Sequence, residues 1–304
     1  MSPDRSQRPA KPEWVREGRG IGPSVRWTFG VDAPLTGLRL ARETGEILAA
    51  DETGGLYRID RRGDYSAVNR LREPIREVSW SDDGQISVAL VGDSQVHLFD
   101  RTLKERWMLD LPDECHQIAI DPYGQYIVVS LADSGNLIFD AKKRRVAGFE
   151  TIRPLKHLRF LTSEATLIGA AEHGLICCHS LDGEQIWQEK LWSNVGEMTT
   201  TGNGDLIYIA GFTHGVQTFD GDGDPIGSYI LEGTVNRLAT SYDPNRLIAA
   251  TIERHLYWLD ADGELLWSAT TPHDVVRLTC DPFGEWVVCG FADGHLICLD
   301  WSRG

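Results

Sequence analysis

The stretch DVVRLTCDPFGEWVVCGFADGHLICLD, residues 274–300, decides the architecture. It reads as three short apolar strands separated by a DPFG turn and an ADG turn. Counted back from Asp300 in steps of 40 residues, the same position holds Asp260, Asp220, Ser180, Asp140, Asp100 and Asp60. Six of these seven are aspartate, and no insertion is needed to align them. A fixed period of this length, with four strand-length segments per unit, predicts a β repeat rather than a helical array.

Laid on one another, the units agree column by column. The first strand carries Leu38, Val78, Ile118, Leu158, Met198, Leu238 and Leu278 in one column, with Leu40, Trp80, Ile120, Phe160, Thr200, Thr240 and Cys280 two residues on. That is the period of a strand with one well-buried side. A turn follows in which Gly84, Gly124, Gly204 and Gly284 align, written DDG, DPYG or DPFG in three of the units and suited to a type I turn. The second strand is apolar almost throughout, as in IVVS at 127–130 and VVCG at 287–290, which fits a strand covered on both faces. The fourth carries Trp107, Trp187 and Trp267, 80 residues apart, read as packing between neighbouring units. The fold class expected is all-β, a seven-bladed β-propeller of four-stranded antiparallel blades. Because only WSRG follows Asp300, the seventh unit lacks its fourth strand. Residues 24–34, SVRWTFGVDAP, have the right pattern, with Trp27 80 residues before Trp107. The N-terminal strand is therefore expected to complete the last blade, so that residues 24–304 form the propeller.

Composition bounds the function. The 304 residues are 41% hydrophobic and 25% charged, with no apolar run near the roughly 20 residues that cross a bilayer. The start MSPDRSQRPAKPEW has no apolar h-region, and Cys280, Cys289 and Cys298 sit inside apolar strands. Both features point to a cytoplasmic protein with reduced thiols. A net charge of −15 argues against nucleic acid and against an anionic membrane as direct partners. Residues 1–23 run the other way: five basic residues face three acidic ones, giving +2 and leaving −17 on the rest. Their proline, glycine and arginine content, without periodicity, predicts a flexible arm. Trp14, its one large apolar residue, suits docking on a partner or on the propeller itself.

The units LFD at 98–100, IFD at 138–140, TFD at 218–220, WLD at 258–260 and CLD at 298–300, preceded by SDDG, DPYG or DPFG, resemble WD repeats. DGEQIW at 182–187 and DGELLW at 262–267 are similar to the repeats of pyrroloquinoline-quinone-type propellers. The resemblance covers residues 24–304 and speaks to fold rather than activity. Propellers of the families it resembles commonly hold peptides near the axial opening.

Function is then sought on the two faces. Turns between strands three and four carry Arg61, Arg62, Arg101, Lys104, Arg106 and residues 142–145 (KKRR) in the first three units, and Asp182, Glu184, Asp222, Asp224, Asp262 and Glu264 in the next three. This rim is expected to be polarised, which suits either an orienting docking surface or solvated charge. The opposite face collects His116, His157, His173, His214, His255, His273 and His295. There the first-strand column Gly37, Glu77, Gln117, His157, Glu197, Arg237 and Arg277 is polar in six of seven units and is expected to ring the axial opening. Arg76, His116, Lys156 and Asn236 stand beside it. Arginine forks in such a ring suit an acidic peptide or a small anion, while Glu77 and Glu197 equally suit neutralising them around a water-filled channel.

Sharper chemistries find little support. DGDGD at 220–224 imitates the start of a calcium loop, but Pro225 stands where that loop needs glycine and Leu231 where it needs glutamate, so an Asp-Gly hairpin turn is expected. The adjacent Cys177 and Cys178 resemble the vicinal pair of some quinoproteins and are read as core residues. No histidine pair has ligand spacing, and there is no nucleophile elbow or phosphate-binding glycine loop. The expected function is a non-catalytic scaffold that binds a protein or peptide near the axial opening, with no metal or cofactor. The alternative is an enzyme or cofactor-binding subunit resembling quinoproteins, with its site in the same funnel.

Overall fold

The computed structural model describes residues 9–302, which are all-β apart from one helical turn, Glu13–Arg16. Three sheets each consist of four consecutive antiparallel strands. They are Leu35–Ala41, Glu46–Asp51, Gly55–Ile59 and Tyr65–Arg70; Ile75–Trp80, Ile86–Val91, Gln95–Asp100 and Glu105–Asp110; and Cys115–Ile120, Tyr126–Leu131, Gly135–Asp140 and Arg145–Glu150. In a further four-stranded sheet, Val275–Cys280, Trp286–Phe291 and His295–Asp300 are joined by Ser24–Gly30 from the other end of the chain. Ser24 pairs with Asp300, Trp27 with Cys298 and Gly30 with His295.

The apolar second strands owe their composition to burial on both faces. Val287, Val288 and Cys289 are each fully buried, yet Val288 belongs to one apolar cluster while Val287 and Cys289 belong to the next. Each such side chain contributes roughly 1.5–3 kcal/mol. The tryptophans link neighbouring repeat units: Trp107 Nε1 donates to Ala141 O and Trp187 Nε1 to Gly221 O, both at 2.9 Å. Cys177 and Cys178 are buried free thiols that face opposite clusters of the core, and burial pushes them up to about 12 and about 11.

The recurring aspartate has a local cause. Oδ1 of Asp60, Asp100, Asp140, Asp220 and Asp260 accepts hydrogen bonds from the backbone N–H groups two and four residues on, fixing the turn into the fourth strand. In the DGDGD stretch, Asp220 does this work with Asp222 and Asp224 as donors, so the segment is a turn of the same kind as its neighbours.

The fourth and fifth units are not separated as the repeat predicts. Gln185–Thr200 is one 16-residue strand, pairing first with His173–Ser180 and then with Leu206–Gly211, which joins seven strands into one sheet. The corresponding connections elsewhere contain proline or glycine (LREP, LPDE, TIRP, LEGT, TPHD), whereas residues 191–194 read LWSN. Without a residue that bends the chain or removes a donor, the strand continues.

The first strands lie side by side in sequence order. Leu35–Ala41 packs beside Ile75–Trp80, and so on through Cys115–Ile120, His157–Phe160, the end of Gln185–Thr200 and Val235–Thr240 to Val275–Cys280, which again neighbours Leu35–Ala41. A run of backbone bonds stitches their ends: Asp82 N–H donates to Pro122 O, Thr162 to Gly202, Gly202 to Tyr242 and Tyr242 to Pro282, at 2.8–2.9 Å. The run breaks after Pro122 and after Pro282, which have no N–H to give.

Residues 1–8 of the expected arm lie outside the described residues, and residues 9–11 are exposed, but from Pro12 on the segment is packed. Arg19–Gly20 adds a short edge strand to Leu265–Thr270, opposite Ser268 and Trp267, and makes a fifth strand on the sheet of Val235–Thr240, Arg246–Thr251 and His255–Asp260. Val15 is buried, Trp14 packs on Trp267 and Phe291, and Trp301 Nε1 donates to Ile21 O at 2.7 Å. Trp14 thus docks on the body of the fold. No helix among the described residues is long and apolar enough to cross a membrane.

Candidate functional site

Where the first strands converge, at the end that carries the connections into them, lies a cavity of about 470 Å³. All ten expected site residues line it: Arg76, Glu77, His116, Gln117, Lys156, His157, Glu197, Asn236, Arg237 and Arg277. The geometry follows from alternation, since side chains two apart on a strand share a side while Leu38 and its equivalents face the core.

The members play different parts. At the mouth, Arg76 Nη1 leans outward to Asp93 at 2.6 Å and Glu114 at 3.4 Å, exposed pairs of little energetic weight. Lys156 Nζ donates to His116 Nδ1, so the neutral ring keeps its proton on Nε2; burial, and then the lysine charge, lower the pKa of His116. Gln117 is a strut, donating to Lys156 O at 3.0 Å and accepting from Ile118 N–H. Arg237 is held by the carbonyls of Val276, Asn236 and Gly196. Arg277 donates to Val276 O and Thr36 O and lies 3.6 Å from Glu77. Two buried polar atoms here lack a protein partner, Arg277 Nε and Asn236 Oδ1.

The two glutamates lie among arginines. Glu197 Oε1 is 3.4 Å from His157 Nδ1 and 3.3 Å from Arg159. Burial works to raise the Glu197 carboxyl, but the His157 hydrogen bond and the charges of His157, Arg159 and Arg237 outweigh it and hold the group far below the usual carboxylate range. Glu77 Oε1 is 3.2 Å from Arg39.

Arg39 and Arg159 were not among the residues expected from sequence. They stand two positions beyond Gly37 and His157 on the same side of their strands, a parity that points them into the same space. Below the funnel they line a second cavity of about 160 Å³, with Ser79, Thr199 and Thr279 among its walls. Burial, and then repulsion from Arg39, bring Arg159 down to about 10. At the far end Arg42 pairs with Asp82 at 2.9 Å, reaches Thr162 Oγ1 at 3.4 Å and stacks its guanidinium 5.4 Å from the Tyr242 ring.

The histidines do not share one site. His116 and His157 line the funnel, whereas His255 meets Tyr257, and His273 and His295 flank Asp293 beside Phe291. Among the described residues no group of three or more His, Cys, Asp or Glu side chains is arranged to hold a metal.

A scan against protein-family models finds no match to this chain, and neither does a search of the curated proteins.

Proposed function

We propose that the chain is a WD-like seven-bladed β-propeller serving as a protein-interaction platform, which holds an acidic peptide segment of a partner at the funnel. The observation that carries this reading is the gathering of Arg76, Lys156, Arg237 and Arg277 around one cavity in a chain of net charge −15. A local field opposite to that of the molecule selects a ligand by charge.

The propeller reading is supported by the order of the first strands, which returns from Val275–Cys280 to Leu35–Ala41, and by the pairing of Ser24–Gly30 with His295–Asp300. The platform reading is supported by apolar side chains around the same opening. Phe212 and Ile252 line the funnel while remaining 43% and 56% exposed; Ile152, in the connection before His157–Phe160, and Trp192, within the long strand Gln185–Thr200, are exposed as well. Exposed apolar groups beside focused charge suit a peptide with both kinds of residue. The reading includes a cytoplasmic location, supported by six unpaired cysteines buried in the core.

The test is affinity purification of the intact chain from its native cells beside an Arg76→Glu/Lys156→Glu variant, with bound proteins identified by mass spectrometry. A partner bound through an acidic segment should fall at least tenfold in the variant and weaken with salt. Equal capture by both forms would exclude the funnel as the docking site. A copurifying small molecule in place of a protein would favour the cofactor-binding alternative.

A further inference from the structure

We infer that the channel beneath the funnel is a binding site for a tetrahedral oxyanion of the phosphate class, held between the guanidinium groups of Arg39 and Arg159. This inference does not depend on the partner proposed above, because its residues lie below the rim that would meet a peptide.

The first argument is charge balance. Of the cations that line the funnel and channel, Arg42 is answered by Asp82 and Arg76 by Asp93 and Glu114. The other five, Arg39, Lys156, Arg159, Arg237 and Arg277, face three carboxylates: Glu77, shared by Arg39 and Arg277, Glu197, next to Arg159, and Glu172. Five against three leaves two positive charges in excess before His157 is counted. Like charges enclosed by protein repel more strongly than on a surface, and Arg159 registers Arg39 as its main charged adversary. A dianion between them removes that repulsion and cancels the excess.

The second argument is the choice of donors. Arg39 and Arg159 are three strands apart in the order of first strands, so they approach the channel from well-separated directions. The wall also carries the hydroxyls of Ser79, Thr199 and Thr279, and its one further carboxylate, Asp82, is tied to Arg42. Ser79 Oγ accepts from Ile120 N–H and so turns its own proton elsewhere, while no protein partner is found for the Thr199 or Thr279 hydroxyl among the described residues. Forked cations on different sides, with neutral O–H donors between, suit an acceptor with oxygens in several directions. A planar carboxylate can bridge two forks, as Glu77 does between Arg39 and Arg277, but it has no oxygen out of its plane to offer the hydroxyls as well.

The third argument is access. Arg42 lies across the far end, tied to Asp82 and Thr162, whereas Arg39 lines both the channel and the open funnel. An anion entering by the funnel passes cations and meets the Arg39–Arg159 pair.

The test is thermal unfolding of the full chain in inorganic phosphate, and separately in O-phosphoserine, each against chloride at matched ionic strength. Phosphate at ~10 times its Kd should raise Tm by about 2–3 °C. Arg39→Met and Arg159→Met should each weaken the response at least tenfold in concentration. Thr199→Val with Thr279→Val, which removes donors without disturbing any ion pair, should weaken it severalfold and serves if an arginine variant does not fold. A shift with inorganic phosphate identifies a free anion, and a shift with phosphoserine alone identifies a phosphoryl group carried on a larger molecule. No shift with either, or equal shifts in wild type and variants, overturns the site. If capture of an acidic partner survives while the phosphate shift is absent, only the oxyanion site falls.

Discussion

Arg159 Nη2 lies 3.3 Å from Glu197 Oε1, and Arg39 Nη2 lies 3.2 Å from Glu77 Oε1, so the same arginine-to-carboxylate link occurs twice with 38 residues between partners. Each link joins one first strand to the next. Glu197→Gln should cost about 2–3 kcal/mol in urea unfolding, less than breaking a fully buried pair because both side chains keep part of their surface open to the cavity. The lowered carboxyl pKa fixes the sign of its pH dependence. The stabilisation is present above the unfolded-state value and is lost as pH falls through the folded one. The variant should therefore approach wild-type stability in strong acid.

His179 gives a second pH dependence in a milder window. Its ring is buried, stacks on Phe149 at a centroid distance of 4.0 Å and leaves Nδ1 without a partner; burial lowers its pKa to about 4. The unfolded chain takes up this proton near the ordinary value of about 6.5. Stability should then fall as pH drops from about 6.5 towards 4, by about 3 kcal/mol from this group. His179→Phe should flatten that part of the profile, and a profile unchanged from wild type would refute the assignment.

Trp14 anchors the N-terminal segment through Trp267 and Phe291. Trp14→Ala should weaken this docking by about 1–3 kcal/mol. Amide exchange at Arg19 and Gly20 should accelerate, while that of Val287 and Val288 should remain at wild-type rates. Acceleration throughout would mean that the segment supports the whole fold.

Two turn residues should respond in opposite directions. Ser134 occupies a left-handed backbone position, φ 73°, that glycine fills at Gly54, Gly174 and Gly294. Ser134→Gly should stabilise by about 0.5–1 kcal/mol. Gly294→Ala should destabilise by more than that, because its methyl would lie 2.6 Å from Ala33 O in addition to the backbone strain. Chemical denaturation of both variants checks the pair.

The strands and the funnel residues were legible because their causes are short-range. The aspartate column repeats because each carboxylate holds N–H groups two and four residues away, and the polar column Glu77 to Arg277 stands out because alternation separates it from Val78 and its apolar equivalents. Arg39 and Arg159 were missed because their column also holds Ser79, Ala119, Thr199, Ala239 and Thr279, so no pattern marks it. Same-side parity with the polar ring was the available signal. The 16-residue strand was written in LWSN, as the absence of a breaker that only comparison with LREP or TPHD exposes. The docked segment 12–22 had no period to read, since its contacts are with Trp267, Phe291 and Trp301, far away in sequence.

The pairing of Ser24–Gly30 with His295–Asp300 has a mechanical consequence. Ser24 is opposite Asp300, so the two chain ends leave the paired strands at the same end of the ladder. Tension applied between the termini opens this seam like a zipper, one hydrogen bond at a time, rather than shearing the whole row at once. A pull on the N-terminal side first meets Trp14 and the Arg19–Gly20 pairing, and behind them the Trp301–Ile21 hydrogen bond stands at the fork itself. The register that brings the two ends of the chain together thus also directs a pull on them along the seam, one bond after another.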